Sequence, residues 1–203
     1  LHLRTRRQRQ MCIRDRGMDQ FGVLIFREQF LSDEEQVSYT KNFGELELHV
    51  GSNVLKGNER RLSLEFADVS NLDQDGEILK KGDRRRMFNL GNRLWHTDSS
   101  FRNIPSKFSI LSCRSSPKVG GNTEFSFMPA VYDELDEGTK QEIADLITEH
   151  SLIYSRGQLG FSDFNEEEKQ MFKPVQHVMV RINEFTKRKS ICLLYTSDAA
   201  DES

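Results

Sequence analysis

Hydrophobic and polar positions alternate with a period of two in several segments, and this pattern is typical of β-strands with one buried face. The clearest examples are SKFSILSCRSSP at 106–117 and QHVMVRI at 176–182. The run FGVLIFREQ at 21–29 is apolar almost throughout and predicts a buried strand. Residues 45–66 alternate more loosely, which predicts further strands on either side of a polar loop.

Two segments carry helical signals instead. Ser32 precedes an acidic stretch with Glu35 three residues later, and Gly44 follows where a helix end favours glycine, so a helix of about three turns is predicted between them. Residues 130–154 predict a helix in two pieces broken near Gly138. The apolar stripe of the second piece is expected to pack in the core; it consists of Ile143, Leu146 and Ile147.

Turn signals separate these elements. Asp75-Gly76 predicts a tight hairpin in a polar insert, and Gly120-Gly121 predicts a turn after Pro117. Many short strands, few helices and long polar loops favour a mainly β barrel or sandwich with helical decoration.

Composition narrows the class of protein. A chain of 203 residues with 36% hydrophobic and 30% charged residues is large enough for one domain with a core. No apolar run approaches the roughly 18 residues of a membrane span, so no membrane partner is expected. The formal charge of −3 gives no reason to expect nucleic acid as a partner.

The two ends of the chain differ in charge from the middle. Residues 1–16 contain six Arg and one Asp, whereas 191–203 contain three acidic residues and no basic one. The leader is compatible with a disordered basic arm, an Arg-rich transit peptide or sequence foreign to the protein. Both ends resemble translated sequencing adapter, which favours the third interpretation and a domain at 17–190. Cys113 is then the remaining cysteine, which suits a reducing cytoplasm.

The segment LWHTDSSF at 94–101 holds the strongest candidate for chemistry. In an extended strand His96 and Asp98 share one face, so they offer a nitrogen and an oxygen ligand together. These are two of the three ligands in the 2-His-1-carboxylate triad of non-haem Fe(II) oxygenases. Taken alone, such a pair more often has a hydrogen-bonded structural role.

Three motifs in order extend this interpretation: LGNRLWHTDSSF, then GGNTEF beginning 24 residues after His96, then RGQLGFSD. Together they resemble the taurine and 2,4-dichlorophenoxyacetate dioxygenase family of Fe(II)- and 2-oxoglutarate-dependent oxygenases, over residues 17–190. The resemblance implies a double-stranded β-helix, or jelly roll, of the clavaminate synthase-like type. It also implies Fe(II) as cofactor and 2-oxoglutarate as cosubstrate.

The resemblance assigns roles to individual residues. His96 and Asp98 match the family's metal ligands, and the carboxylate indicates hydroxylation because halogenating relatives lack it. Thr123 in GGNTEF matches the threonine that hydrogen-bonds the cosubstrate, although an ordinary strand threonine bonded to backbone remains the alternative. Asn92 and His49 match positions that contact the substrate in taurine-type relatives.

The residues expected to contact the substrate do not identify it. Asn92 is also compatible with a loop cap and His49 with an exposed strand residue. Ser52 stands where the taurine pattern has an aromatic hydroxyl, which counts against taurine and favours a phenoxyacetate-like carboxylate. A sulfonate or alkyl-sulfate dioxygenase of the same family is the alternative. His150, His177 and Arg156 are assigned no role.

The resemblance also predicts what lies beyond this sequence. The family's second iron histidine and its 2-oxoglutarate-binding arginine fall after residue 190, so the jelly roll is expected to be incomplete and the chain inactive as given. The expected protein is a cytoplasmic enzyme that uses O₂ to hydroxylate a small anion, and a homo-oligomer remains open. An inactive fragment that acts only as a binding β-sandwich is the alternative from another class.

Overall fold

Short helices and two small antiparallel ladders form the regular structure of residues 16–48 and 61–192, the part of the chain that the computed structural model describes. The α-helices are α1 (residues 16–21), α2 (Asp33–Thr40), α3 (Arg84–Asn89), α4 (Met128–Glu134), α5 (Glu137–Ile143), α6 (Leu152–Gly157) and α7 (Glu166–Met171). Turns of 3₁₀-helix cover Lys41–Phe43 and Leu90–Arg93. The strands are β1 (Ile147–His150), β2 (Val175–Val178), β3 (Val180–Ile182) and β4 (Lys189–Ile191).

The first predicted helix is confirmed. Ser32 accepts a hydrogen bond from the Glu35 amide, and the Glu35 carboxylate accepts one from the Ser32 amide, which together form a capping box. The 3₁₀ turn Lys41–Phe43 extends α2 as far as Gly44, whose φ of 138° departs from helical values. The local signals therefore predicted both the start and the length of this helix.

The alternating segment at 176–182 is confirmed as β-structure, although it is divided into β2 and β3. In the first ladder β1 pairs antiparallel with β2, and in the second β3 pairs antiparallel with β4. Met179 lies between the two ladders: its amide donates to the Leu146 carbonyl at 2.9 Å, and its carbonyl accepts from the Cys192 amide at 2.8 Å. A single residue therefore links the two ladders.

Several other predicted strands are wrong. Residues 22–29 form no ladder with any described residue, and Ile25 is 76% exposed rather than buried. Residues 106–117 are likewise without a ladder, as are the described parts of 45–66, whereas residues 49–60 lie outside the described part. The physical reason is that alternation specifies an extended backbone with two faces but supplies no neighbouring strand to complete the hydrogen bonds.

The second predicted helix ends earlier than expected. The chain forms α4 and α5 with a break at Leu135-Asp136, close to the predicted one, but 147–150 is strand β1. Leu146 and Ile147 are 45% and 62% exposed, so the predicted core stripe is wrong beyond α5. In a strand alternate side chains face inward, and here Thr148 and His150 take the buried positions.

A cluster of aromatic rings forms the main core. Phe161 and Phe164 pack edge to face with ring centroids 5.0 Å apart, and Phe88 of α3 contacts Phe161 at 5.7 Å. The ring of Phe101 lies 6.4 Å from that of Phe172. Phe88 and Phe101 enclose in sequence the segment that carries the candidate ligands, so the core holds both ends of that segment.

The described residues display less β-structure than a complete jelly roll requires. Besides the two ladders, the described residues contain one isolated β-bridge, between Leu72 and Ile78. That bridge encloses Gly76, whose φ of 83° completes the predicted hairpin turn. Within the described ranges, none of the helices is long and apolar enough to cross a membrane.

Candidate metal centre

The side chains of His96 and Asp98 meet, as the motif predicts, although no strand carries them. The imidazole Nε2 and the carboxylate Oδ1 lie 3.1 Å apart. The segment between the 3₁₀ turn Leu90–Arg93 and the turn that begins at Asp98 forms neither a helix nor a ladder. The predicted strand is therefore wrong at this point, but the spacing of two residues still places both groups on one side.

A hydrogen bond from the other ring nitrogen sets the orientation and tautomer of His96. Nδ1 lies 2.8 Å from the Leu94 carbonyl, which can only accept, so Nδ1 carries the hydrogen. Nε2 then faces the Asp98 oxygen and shares either a proton or a cation with it. Two cis ligands of an octahedral metal with bonds of about 2.1 Å lie about 3 Å apart, so the observed pair fits a divalent cation.

The short distance between the two side chains shifts the pKa of each. The hydrogen bond with Asp98 raises the pKa of His96 above its ordinary value, and burial opposes that shift. The same hydrogen bond lowers the pKa of Asp98, and a hydrogen bond from Ser109 adds to the effect. The Asp98 side chain is 58% exposed, so a ligand can reach the pair from solvent.

The turn before the pair is anchored by helix α3. Asp83 caps α3 by accepting from the Arg85 amide, and the Asn89 amide group donates to the Ser70 carbonyl at 3.1 Å. The 3₁₀ turn Leu90–Arg93 follows without a break. Asn92 lies exposed on this turn, on the approach to His96, so its predicted contact with substrate stays a prediction.

The loop after the pair is tied to a carboxylate from a distant segment. Ser99 has a left-handed backbone with φ of 56°, which is uncommon for a residue other than glycine. Its hydroxyl donates to Glu47 at 3.0 Å, and Ser106 donates to the same carboxylate. Arg102 forms an ion pair with Glu47 at 2.5 Å. Glu47 therefore holds three residues of the loop that begins at Asp98.

Among the predicted cosubstrate and substrate residues, Thr123 is described and is not joined to the pair. The turn at Gly120-Gly121 is confirmed, since both glycines have φ above 70°. Thr123 after it is exposed, and within the described ranges no hydrogen bond or ion pair joins it to His96 or Asp98. His49 and Ser52 lie outside the described residues. The roles of Thr123 and His49 stay predictions.

Arg156 begins the RGQLGFSD motif, but the sequence assigned it no role. It is 9% exposed, and its Cζ lies 4.9 Å from the centroid of the Phe88 ring. Its positive charge opposes protonation of the His96 imidazole and lowers the pKa of that group, although less than Asp98 raises it. The glycine at position 91, just before the His/Asp motif, is the sequence signal that points to a close neighbour here.

Residues 191 and 192, which the sequence analysis placed in the foreign C-terminal end, pack beside the His96–Asp98 pair. Ile191 belongs to β4, and Cys192 is 3% exposed with a hydrogen bond to Thr97. Burial raises the pKa of the Cys192 thiol. The division of the chain at 190 stays a prediction. Within the described ranges, no group of three His, Cys, Asp or Glu side chains is placed to hold a metal ion.

Comparison with known proteins establishes the family. The profile of the taurine catabolism dioxygenase TauD, TfdA family matches residues 6–201, and the chain belongs to that family. This confirms the resemblance drawn from the motifs.

Two curated relatives are similar in sequence, and one solved structure is similar in both sequence and fold. The chain is 37% identical over 175 residues to the alpha-ketoglutarate-dependent 2,4-dichlorophenoxyacetate dioxygenase of Burkholderia sp. (strain RASC), covering 85% of this chain and 58% of the relative. It is 34% identical over 143 residues to the (S)-phenoxypropionate/alpha-ketoglutarate-dioxygenase of Sphingobium herbicidovorans, covering 70% and 44%. The crystal structure of AAD-2 in complex with Mn(II) and N-oxalylglycine matches with a TM-score of 0.83 and 52% identity, covering 87% and 61%. The chain thus spans about three fifths of the length of the first relative and of AAD-2.

Proposed function

We propose that the protein is an Fe(II)- and 2-oxoglutarate-dependent dioxygenase that hydroxylates a small anionic organic substrate, with a phenoxyacetate-like carboxylate favoured. The observation that carries this proposal is the 3.1 Å approach of His96 Nε2 to Asp98 Oδ1, with Nδ1 bound to a backbone carbonyl. The named relatives support the substrate class, because two of them act on phenoxy carboxylates. The products are succinate, CO₂ and the hydroxylated substrate.

His96 and Asp98 would hold the metal. The Leu94 carbonyl accepts from Nδ1 and so leaves Nε2 available as the ligand atom, and the Ser109 hydroxyl helps to keep Asp98 ionised. When bound, Fe(II) supplies the oxidising chemistry that couples decarboxylation of 2-oxoglutarate to hydroxylation of the substrate. The third ligand and the arginine for the far carboxylate are expected outside the described residues.

Thr123 would donate its hydroxyl to 2-oxoglutarate, and its exposure leaves the group accessible for that contact. Asn92 and His49 would contact the substrate. A neutral amide and an imidazole can both bind a carboxylate or a sulfonate, so these residues do not separate the two substrate classes. Ser52 in place of an aromatic hydroxyl favours the carboxylate.

The remaining features of the proposal follow from the family. The intact protein would form a complete jelly roll, to which the ladders β1–β2 and β3–β4 contribute, and would work in the cytoplasm. The competing function is a β-sandwich that binds small anions without redox chemistry. A pair that serves only structure requires no cation, so metal binding separates the two.

The first experiment is metal binding by two versions of the protein. One is the 203-residue chain, and the other carries the C-terminal region of AAD-2 after residue 190. Under anaerobic conditions, Fe(II) and 2-oxoglutarate are added while the weak visible absorption of their chelate is recorded, and Mn(II) binding is followed by electron paramagnetic resonance. We expect both signals at least in the extended version.

Asp98→Ala is expected to abolish both signals, whereas Asp145→Ala, at an exposed carboxylate far along the sequence, serves as the matched control. A folded extended version without either signal would refute the metal site and leave His96 and Asp98 as a structural pair. Substrate choice is then tested by succinate release with 2,4-dichlorophenoxyacetate against an alkyl sulfate and a sulfonate.

A further inference from the structure

The guanidinium of Arg156 contacts a hydroxyl of its own helix and an aromatic ring. Arg156 lies in the last turn of α6, and its Nη1 donates to the Ser155 hydroxyl at 3.0 Å. Its Cζ lies 4.9 Å from the centroid of the Phe88 ring, a distance at which a cation and an aromatic face attract each other. Moving the guanidinium aside would break both of these contacts.

Its third neighbour is the backbone of Gly91. A Cβ added at Gly91 would lie 2.0 Å from both Cζ and Nη1 of Arg156, and 2.3 Å from Nε. A side chain at position 91 would have to displace the guanidinium or the turn, since non-bonded carbon atoms approach only to about 3.5 Å. Gly91 has no left-handed φ, so glycine is required here by the close approach and not by the backbone conformation.

A short series of hydrogen bonds connects Gly91 to the metal pair. The Leu94 amide donates to the Gly91 carbonyl at 3.2 Å. The Leu94 carbonyl in turn accepts the Nδ1 hydrogen of His96 at 2.8 Å, which sets the direction of Nε2. A displacement of Gly91 is thereby passed through one residue to the imidazole.

We propose that Arg156 is a positioning residue for the metal centre: its guanidinium packs flat against Gly91 and fixes the turn Leu90–Arg93, which orients His96 through Leu94. The proposal rests on the proposed function in taking His96 and Asp98 as ligands. A planar guanidinium suits this role because one face meets the backbone while the group also contacts the Phe88 ring. A lysine ammonium has no such plane.

The test uses the substitution Gly91→Ala together with Gly157→Ala as its control. Gly157 neighbours Arg156 in α6, but a Cβ there meets nothing within 4 Å. Trp95, the single tryptophan of the chain, lies next to His96 and reports on this segment through its fluorescence. Acrylamide quenching of Trp95 and Mn(II) affinity by electron paramagnetic resonance are measured for both variants, in the chain and in the version extended with AAD-2 sequence.

We expect Gly91→Ala to shift the emission and quenching of Trp95 and to weaken Mn(II) binding about tenfold, a typical loss when a group that orients a ligand is disturbed. Gly157→Ala should change neither. Arg156→Ala removes the group with which the new methyl collides, so the double variant Gly91→Ala/Arg156→Ala should bind Mn(II) no more weakly than Gly91→Ala alone.

Unchanged Trp95 quenching in Gly91→Ala would overturn the proposal. So would a double variant whose loss of Mn(II) affinity equals the sum of the losses in Gly91→Ala and Arg156→Ala. If Gly91→Ala does not fold, the double variant should regain the fold, and its failure to do so would also overturn it. Wild-type protein that binds no Mn(II) while Trp95 responds as expected would refute the proposed function and leave the positioning of the turn established.

Discussion

The Ser99 hydroxyl donates a hydrogen bond at 3.0 Å to the Glu47 carboxylate, which lies 52 residues earlier in the sequence. Ser99 directly follows Asp98 and has a left-handed backbone, a conformation that costs a residue other than glycine about 1 kcal/mol or more. Glu47 also binds Arg102 and Ser106 of the same loop. One carboxylate thus maintains a strained loop at the candidate metal ligand.

The substitution Glu47→Ala is expected to destabilise the protein by about 1–3 kcal/mol, because the loop loses its acceptor and Arg102 loses its partner. It should also weaken Mn(II) binding. The midpoint of urea unfolding measures the first effect, and Glu45→Ala at an exposed position is the control. Equal midpoints for the two variants would show that Glu47 does not hold the loop.

Ser99→Gly separates the two contributions at that residue. Glycine removes the hydrogen bond to Glu47, worth about 1 kcal/mol, but it also relieves the left-handed strain by a similar amount. We therefore expect Ser99→Gly to have an unfolding midpoint close to that of wild type. Ser99→Ala loses the hydrogen bond and keeps the strain, so its midpoint should be lower. A Ser99→Gly variant as unstable as Ser99→Ala would contradict a strained backbone.

The features that the sequence predicted correctly depend on residues close together in the chain. The capping box of Ser32 and Glu35, the turn at Gly76 and the approach of His96 to Asp98 each involve a few consecutive residues. The family was equally accessible, because its motifs surround the His/Asp pair. Local hydrogen bonds and backbone preferences are sufficient to specify such features.

The features that the sequence did not predict depend on residues that lie far apart in the chain. The apolar run at 21–29 predicts a strand, but no described strand pairs with residues 22–29. The contacts of Gly91 with Arg156 and of Ser99 with Glu47 each join separate segments, and no spacing rule relates them. Such contacts arise from packing, which a single sequence does not encode in any short pattern.

The ion pair between Arg84 and the buried Glu168 links α3, which leads into the candidate metal centre, to α7. Glu168 is fully buried, and its Oε2 accepts from Arg84 Nη2 at 2.6 Å and from the Asn165 amide at 2.9 Å. Arg84→Met leaves a buried carboxylate without its cation, so we expect a loss of about 3 kcal/mol in the free energy of unfolding.

The exposed pair of Lys169 with Glu166 in α7 provides the matched control. Both side chains are at least half exposed, so Lys169→Met should cost less than about 1 kcal/mol. Chemical unfolding of the two variants measures the difference. Similar losses for Arg84→Met and Lys169→Met would mean that the buried pair contributes no more than a surface one.

We expect His150 to make the stability of the protein depend on pH. The ring is fully buried, with Nε2 2.8 Å from the Thr148 hydroxyl, and Thr148 itself donates to the His177 carbonyl. The hydroxyl therefore accepts the Nε2 hydrogen of a neutral imidazole. Burial, followed by the charges of His177 and Arg181, lowers the pKa of His150 to about 4 from its ordinary 6.5.

The unfolded chain binds a proton at this histidine near pH 6.5, whereas the folded protein binds it only near pH 4, so protonation favours unfolding between these values. The contribution of His150 is complete above pH 6.5 and is lost as the pH falls towards 4, by up to about 3 kcal/mol. Urea unfolding of wild type and His150→Gln at pH 7.5 and pH 5 measures it. Gln carries no titrating group, so the variant should lose less stability than wild type on acidification, and parallel losses would show that another group governs the acid response.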